Sequence, residues 1–450
     1  MSTTIAAIST PVYQGGLAVI RMSGEDSIRI ADNIFVGKTA PSSMAGYTCQ
    51  YGKIVREGRT LDDVILTVFR GPHSYTGEDT VEVSCHGGVY LAREILKLMI
   101  EEGAEPAPAG EFTKRAFLSG KLSLTQAEGV LDIISANGER ELVSARAMRD
   151  GNLGKNIHAV ADDMVKISGN LAAWSDYPDE DIPDADTSHL AEDLSDIINR
   201  LEHILSSYDK GKILRQGIDT AIVGRPNVGK STLMNQLLGY KRSIVTENAG
   251  TTRDVIEESV RVGDFVLKLS DTAGIRDTQD PIECIGVDLA TQKLENAELV
   301  LAVFDSSEEL TETDLEILEK IRNKPHIVLL NKSDLPEKLD SKYFSGENIL
   351  SVSANSGLGL EKLPEMIAEL FKLGGSTDTA EIYINERQRS QVSKSLGFVR
   401  LALQEYESGM TLDAVTVYLD EALGALLELT GERATEAVVN DLFERFCVGK

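Results

Sequence analysis

Residues 224–231 read GRPNVGKS, a spacing of glycine, lysine and serine that suits phosphate binding. They match GxxxxGK[ST] and lie between the apolar segment AIV and the helix-like segment STLMNQLLG. A glycine-rich turn exposes backbone N–H groups, and the helix after it adds partial positive charge. We expect Lys230 to reach the β- and γ-phosphates of a nucleotide and the Ser231 hydroxyl to bind Mg²⁺. The predicted contacts in this loop are Asn227, Val228, Gly229, Lys230, Ser231 and Thr232.

The segment NKSD (331–334) follows the apolar run HIVLL and indicates guanine as the base. The Asp334 carboxylate can accept from both N–H groups of the guanine edge, which adenine cannot match. Asn331 and Lys332 are expected to support that loop. SAN (353–355) follows ILSV, where the backbone N–H of Ser353 or Ala354 can meet the guanine carbonyl. Together with GRPNVGKS, these segments predict GTP as the nucleotide, bound at the carboxyl ends of parallel strands.

Two further segments are expected to face the γ-phosphate. DTAG (271–274) follows FVLKLS, which places Asp271 near the metal and the Gly274 N–H near the phosphate, with Thr272 and Ala273 between them. In TENAGTTRD (246–254), the Thr252 hydroxyl can add a second ligand to Mg²⁺, so that the loop orders with GTP and relaxes after hydrolysis. The predicted nucleotide contacts in this loop are Thr246, Glu247, Asn248, Ala249, Gly250, Thr251 and Thr252.

The group that orients water for hydrolysis is not evident from these segments. Ras-like enzymes use a glutamine directly after DxxG, and Ile275 stands there instead. Glu283, in TQDPIECIG, is the leading candidate. The residues of this segment alone fit a solvated loop carboxylate as well.

The elements that carry these motifs belong to regions with three kinds of sequence pattern. Residues 1–119 alternate β-like runs with turns, which predicts an α+β domain. Apolar residues at helical spacing, beginning with Leu124 and Ala127, predict a helical region over 120–215. Residues 216–376 alternate apolar strands with helices, as in a parallel doubly wound sheet. Helical spacing returns in 377–450. The favoured organisation is multidomain, with the α/β module inserted into one helical domain; two separate helical domains are the alternative.

Composition restricts the function classes. The 450 residues carry a formal net charge of −27, which argues against nonspecific nucleic-acid binding. No window approaches the roughly 18–20 apolar residues of a membrane helix. Four cysteines lie far apart without a CxxC pair, and the first residues resemble no targeting signal. We expect a cytoplasmic protein without a membrane partner.

The chain resembles the MnmE (TrmE) family of tRNA-modification GTPases over essentially its whole length. The resemblance is carried by the nucleotide motifs and by GGLAVIRMSG, SYTGEDTVEVSCHGG, GEFTKRAFLSGKLSLTQAEG, DYPDEDIP and the terminal CVGK. It implies a homodimer formed through N-terminal domains, with a P-loop GTPase domain inserted in a helical domain. It also implies an FAD-dependent partner, MnmG, in a heterotetramer or larger complex. Together they would add aminomethyl or carboxymethylaminomethyl groups to the wobble uridine of tRNA, with 5-formyl- or methylene-tetrahydrofolate as one-carbon donor.

The resemblance also implies roles for residues of the nucleotide site. A K⁺ ion would take the electrostatic role of an arginine finger. Glu283 falls on the family's water-orienting glutamate, and Ile275 on its apolar residue. Arg253, Asp254 and Arg276 would relay the nucleotide state, or form surface salt bridges. The implied K⁺ ligands are Asn227, Thr246, Asn248 and Thr251.

The implied folate site uses Arg21, Glu82, Lys121 and the terminal Lys450. Basic side chains can meet the folate's glutamate carboxylates, and a carboxylate can pair with the pterin's donor edge. Cys447 would reach the same pocket, either as a nucleophile or as a packing residue.

A second function class stays open from the sequence: a regulatory GTPase switch in ribosome assembly, without modification chemistry. Such relatives usually carry a basic RNA-binding domain, and none is evident here. Since the chain is acidic, tRNA contact is expected mostly through the partner.

Overall fold

In the computed structural model, the described residues are 3–176, 189–239, 258–269, 297–373 and 381–450. The chain divides into two compact units. The first unit takes residues 1–131, 147–201 and 390–450, and the second takes residues 132–146 and 202–389. The division at 119, 215 and 376 expected from the sequence stays a prediction.

The first unit contains a seven-stranded sheet in the order β3-β4-β5-β6-β2-β1-β7. All neighbours pair antiparallel except β1 and β7. The strands are β1 Ile5–Ile8, β2 Leu17–Ser23, β3 Phe35–Gly37, β4 Thr48–Arg56, β5 Arg59–Phe69, β6 Thr80–His86 and β7 Glu105–Pro106.

One face of this sheet packs against two helices, α1 (Ser27–Ile34) and α2 (Val89–Glu101). In β6 the residues Val81, Val83 and Cys85 are buried on that face, while Glu82, Ser84 and His86 alternate with them. Since side chains of a strand alternate between faces, Glu82 points to the opposite face. The register pairs it with Arg21 of β2. Side-chain alternation thus places two of the predicted folate residues next to each other.

Helices follow the sheet in the chain. They are α3 Glu111–Leu118, α4 Leu124–Ser135, α5 Glu139–Arg149, α6 Asn152–Asp176 and α7 Leu190–Gln216. The helical spacing that starts at Leu124 is confirmed by α4, whose Leu124 and Ala127 are buried against the C-terminal helix.

The second unit is built on a six-stranded sheet in the order β13-β12-β11-β8-β10-β9, in which only β9 pairs antiparallel. Its central strands β11 and β12 are fully buried, as strands covered on both faces must be. The strands are β8 Ile218–Val223, β9 Glu258–Val262, β10 Phe265–Leu269, β11 Leu299–Asp305, β12 His326–Asn331 and β13 Ile349–Ser351. The helices are α8 Lys230–Gly239, α9 Glu312–Ile321 and α10 Leu363–Leu370.

The chain ends in three helices, α11 Glu386–Glu407, α12 Leu412–Thr430 and α13 Glu436–Glu444. The predicted fold class is confirmed: an α+β N-terminal domain, a helical domain whose parts precede and follow an α/β module, and that module itself.

Candidate nucleotide site and the cavity at the C terminus

The phosphate-binding loop joins β8 to α8 and needs glycine at two places. Gly224 and Gly229 have positive φ angles of 152° and 97°. A Cβ on Gly224 would lie 2.4 Å from the Val303 carbonyl oxygen, and one on Gly229 would lie 2.3 Å from Asn331 Nδ2. Neither position can hold a side chain, because Val303 and Asn331 pack directly against the loop.

Lys230 stands at the first position of α8, and its amine turns back to the loop. Its Nζ donates to the carbonyl oxygens of Gly224 and Arg225, at 2.8 Å each. Ser231 and Thr232 follow in the first turn of the helix, where anions are stabilised. Asn227 lies at the loop's turn with a φ of 65°.

Asn331 connects the phosphate loop to the SAN loop. Its Nδ2 donates to the Val228 carbonyl at 2.7 Å, and its Oδ1 accepts from the Ala354 N–H at 2.8 Å. The side chain is only 3% exposed. Asn331 therefore joins the phosphate loop to the SAN loop, and its predicted support of guanine binding stays a prediction.

Lys332 forms an ion pair with a carboxylate that the sequence motifs do not predict. Its Nζ lies 2.5 Å from Oδ2 of Asp305, at the end of β11. Burial would raise the pKa of Asp305, but hydrogen bonds from Lys332 and Ser307 outweigh it and hold that pKa below its usual value. No local pattern in the sequence indicated this role, because it depends on the pairing of β11 with β12, which places Asp305 opposite Asn331. Asp334 is exposed at the same end of the sheet.

The two backbone N–H groups assigned to the guanine carbonyl are both engaged. Ser353 N–H donates to the Leu358 carbonyl at 2.9 Å, and Ala354 N–H donates to Asn331. In this conformation a guanine carbonyl would have to take over one of these bonds, so the contact stays a prediction.

Several predicted residues lie outside the described residues. They are Thr246, Glu247, Asn248, Ala249, Gly250, Thr251, Thr252, Arg253, Asp254, Asp271, Thr272, Ala273, Gly274, Ile275, Arg276 and Glu283.

The first unit contains a cavity of about 220 Å³ on the sheet face that carries Arg21 and Glu82. Arg21 Nε donates to Glu82 Oε1 at 2.8 Å, and the arginine also lies over the Phe112 ring. Both partners are partly exposed, at 18% and 24%. The cavity is lined by Arg21, Phe69, Tyr75, Thr80, Glu82 and Lys450.

The last residues, 447–450, form part of this cavity. This tail is seated, by which we mean that it lies against Ala109 and the end of β1. Val448 forms an antiparallel bridge with Ala109, and the Gly449 carbonyl accepts from Arg21 Nη1 at 3.3 Å. Gly449 has a φ of 91°, and a Cβ there would lie 2.7 Å from the Ile8 carbonyl oxygen. Lys450 is thereby placed among the lining residues.

Two other residues predicted for this cavity are placed differently. Lys121 Nζ donates to the carbonyl oxygens of Pro72, at 2.8 Å, and Ser74, so its amine fastens the 72–74 loop. Cys447 is exposed with a free thiol. Tyr75 and Phe69 line the cavity but were missed, since aromatic residues on a strand and a loop carry no signal of a shared pocket.

Charge and burial at this cavity shift the pKa of two groups. Burial, and after it the nearby Arg21 charge, lower the pKa of Lys450 below its ordinary value of 10.5. Burial raises the pKa of Tyr75, whose hydroxyl bonds to Thr113. The lining therefore combines the basic groups of Arg21 and Lys450 with the Glu82 carboxylate and a neutral phenol.

A glycine-rich phosphate loop on a parallel sheet, joined to NKSD and SAN at the same sheet edge, defines a P-loop protein of the GTPase class. Among the helices of the described residues, none combines the length and apolar character that a membrane crossing requires.

Comparison with known proteins identifies the family. Residues 4–121 match the model of the GTP-binding protein TrmE N-terminus, and residues 124–447 match the model of the MnmE helical domain. Proteins named tRNA modification GTPase MnmE are similar over 99% of this chain. That of Lactococcus lactis subsp. lactis is 42% identical over 98% of its length, and that of Natranaerobius thermophilus 43% over 99%. A solved structure, the FeoB G-domain from Methanococcus jannaschii, is 26% identical, covers 34% of this chain and 98% of its own, and has a TM-score of 0.24. The chain belongs to the MnmE family of tRNA modification GTPases.

Proposed function

We propose that this protein hydrolyses GTP as a component of a complex that adds an aminomethyl or carboxymethylaminomethyl group to the wobble uridine of tRNA. The one-carbon unit comes from a tetrahydrofolate, and the FAD-dependent protein MnmG is the partner. The observation that carries the proposal is that Arg21, Glu82 and Lys450, far apart in sequence, line one cavity. Family membership supports the GTPase half.

In the GTPase half, Lys230 binds the β- and γ-phosphates and Ser231 binds Mg²⁺. The residues present fit this assignment, because the glycines keep the loop free of side chains and the lysine amine already lies against the loop's carbonyl groups. Thr252 and Asp271 complete the magnesium site, and Gly274 contacts the γ-phosphate. Mg²⁺ supplies charge neutralisation of the phosphates.

Guanine is selected by Asp334, whose exposed carboxylate accepts from both N–H groups of the base edge. Asn331 and the Lys332–Asp305 pair keep the loop in place. K⁺ is held by Asn227 together with Thr246, Asn248 and Thr251, and it supplies positive charge near the phosphates. Glu283 orients the attacking water.

In the one-carbon half, the cavity binds 5-formyl- or methylene-tetrahydrofolate. Arg21 and Lys450 meet the carboxylates of the folate, and Glu82 accepts from the pterin's donor edge. Glu82 already accepts from Arg21 in this structure, so the folate would share that carboxylate. Lys121 joins Arg21 and Lys450 in binding the folate, beside the 72–74 loop that its amine contacts. The exposed thiol of Cys447 is a candidate for one-carbon chemistry.

The protein acts as a homodimer in the cytoplasm, and MnmG joins it in a heterotetramer or larger complex. The sheet face that carries the cavity supports a docking role, since Leu17, Tyr51 and Ile65 are exposed on it, at 71%, 68% and 48%. Tyr51 and Ile65 are paired neighbours on β4 and β5, and adjacent exposed apolar residues favour an interaction surface. The net charge of −27 favours tRNA contact mostly through the partner.

The GTPase half is tested by hydrolysis rates in KCl and in NaCl at equal ionic strength. Much faster hydrolysis in KCl is expected, and equal rates would remove K⁺ from the proposal. Glu283→Ala should bind GTP with unchanged affinity and lose turnover. A Glu283→Ala variant with parental turnover would show that another group orients water.

The folate half is tested by binding of 5-formyl-tetrahydrofolate to the parent and to Arg21→Ala. Loss of binding in Arg21→Ala with parental GTP hydrolysis is the expected result. Parental affinity in that variant would exclude the cavity as the folate site.

A further inference from the structure

Arg225 follows the first glycine of the phosphate-binding loop, and its side chain has no role in the site described so far. Its guanidinium contacts two carboxylates of the segment after β11, those of Glu308 and Asp314. The Nε of Arg225 lies 3.3 Å from Oδ2 of Asp314, an ion-pair contact without hydrogen-bond geometry, while its Nη2 donates a hydrogen bond to Glu308. Glu308 is 55% exposed and Asp314 only 3%. Because water screens exposed charges, the attraction between Arg225 and the buried Asp314 is the less screened of the two contacts.

Asp314 is itself held in place. It belongs to the capping box of α9: its Oδ2 accepts from the Thr311 N–H at 3.0 Å and from the Thr311 hydroxyl at 2.8 Å. Its other oxygen, Oδ1, is buried without a hydrogen-bond partner among the described residues. A buried carboxylate is stable only with a compensating charge, and Arg225 is the cation in contact with it.

The backbone of Arg225 is in turn an anchor for Lys230. The Arg225 carbonyl accepts from Lys230 Nζ at 2.8 Å, as does that of Gly224. The segment that holds the arginine begins at Asp305, the partner of Lys332. Residues 305–314 therefore connect the phosphate loop to the guanine loop through two ion pairs.

We propose that Arg225 is a positioning residue for GTP hydrolysis: through Asp314 it fixes the loop carbonyl groups that hold Lys230 against the phosphates. This inference rests on the proposed GTPase function. Arg225 acts through Lys230 and not on the base, so it should influence the chemical step and leave guanine selection untouched.

The test is steady-state GTP hydrolysis by the full chain in KCl, with ITP as a second substrate. Arg225→Ala should lower kcat about 10- to 100-fold, since a displacement of about 1 Å in a catalytic group can reduce rates on the order of 100-fold. The ratio of kcat/KM for GTP to that for ITP should stay at the parental value. Arg225→Lys should recover part of the loss, because a lysine still places one charge beside Asp314.

Asp314→Asn should reproduce the defect, and the double variant should be no worse than either single variant. Glu308→Gln is the matched control, in which loss of an exposed partner should change kcat by no more than about twofold. Should Arg225→Ala fail to fold, Arg225→Lys and Asp314→Asn carry the test.

Parental kcat in both Arg225→Ala and Asp314→Asn would overturn the proposal, as would losses that multiply in the double variant. A fall in the GTP-to-ITP ratio that parallels kcat would also overturn it, because that pattern indicates general damage to the site. A parent chain without GTP hydrolysis would instead contradict the proposed function.

Discussion

Replacing Gly449 with alanine should detach the C-terminal tail from the cavity that it helps to form. Gly449 has a φ of 91°, and its hypothetical Cβ lies 2.7 Å from both the Ile8 carbonyl oxygen and the Ser9 Cα. The left-handed conformation alone costs an L-residue about 1–2 kcal/mol. The two close atoms belong to backbone of the β1 end and cannot move aside as a flexible side chain would.

This cost applies only to the seated tail, since an unseated tail is free to adopt other angles. A penalty of about 1–2 kcal/mol lowers the ratio of seated to unseated tail by roughly 5- to 30-fold, and the steric overlap lowers it further. Lys450 leaves the cavity with the tail, and the carbonyl that accepts from Arg21 leaves as well. With both contributions the unseated tail should predominate, and the dissociation constant of 5-formyl-tetrahydrofolate should rise by about 5-fold or more.

The assay is isothermal titration calorimetry with 5-formyl-tetrahydrofolate, alongside GTP hydrolysis as a measure of the intact second unit. Gly346→Ala is the matched control: Gly346 also has a φ of 91°, but its Cβ would meet no atom within 4 Å. That variant should bind folate like the parent. Parental folate affinity in Gly449→Ala would refute the seating of the tail, as would equal weakening in the two glycine variants.

Three further predictions concern other parts of the molecule. Asn331→Ala leaves two buried backbone groups unpaired, each at about 1–3 kcal/mol, so affinity for a fluorescent GTP analogue should fall about tenfold or more. Asp264→Ala removes the 2.9 Å bond to the Glu139 N–H at the start of α5; a lost helix cap costs about 1 kcal/mol, and Tm should fall about 2–4 °C. Folate affinity should decline as the pH rises toward the lowered pKa of Lys450, because the amine loses its charge below the ordinary value of 10.5. The seated tail, by contrast, should gain stability over the same rise, since burial disfavours the charged amine.

Each of these has an outcome that contradicts it. Asn348→Ala removes only a marginal 3.5 Å bond and should bind GTP like the parent; equal losses in both asparagine variants would show that the bridge between the loops is unimportant. An unchanged Tm in Asp264→Ala would mean that the cap contributes nothing. Lys450→Arg should flatten the alkaline decline of folate affinity, and a decline of the same steepness would assign it to another group.

Local patterns in the sequence were sufficient for the architecture and for the phosphate loop. Fully apolar runs predicted the buried parallel strands, and the glycine spacing predicted a loop whose backbone lies open, as the contacts of Gly224 and Gly229 explain. The roles of Asp305 and Arg225 could not be found this way. They depend on which strand lies beside which, and the sheet order sets that relationship.

The cavity required more than local pattern. Arg21 and Glu82 meet because β2 pairs with β6 in one register, and Lys450 joins them because the tail pairs at Ala109. The spacing of these residues in the sequence does not show that they meet. Only the resemblance to a family suggested it. The role of Lys121 in folate binding stays a prediction, since the structure shows its amine on backbone carbonyl groups of the 72–74 loop.

Nucleoside mass spectrometry of tRNA gives the most direct test of the proposed function. A bacterial strain that lacks its own MnmE-family gene would be supplied with this chain or with its Lys230→Ala variant. The parent chain should restore aminomethyl-type modification at the wobble uridine, and the variant should not. Wobble uridines that stay unmodified with a well-expressed parent chain would contradict the proposed function, as would full restoration by Lys230→Ala.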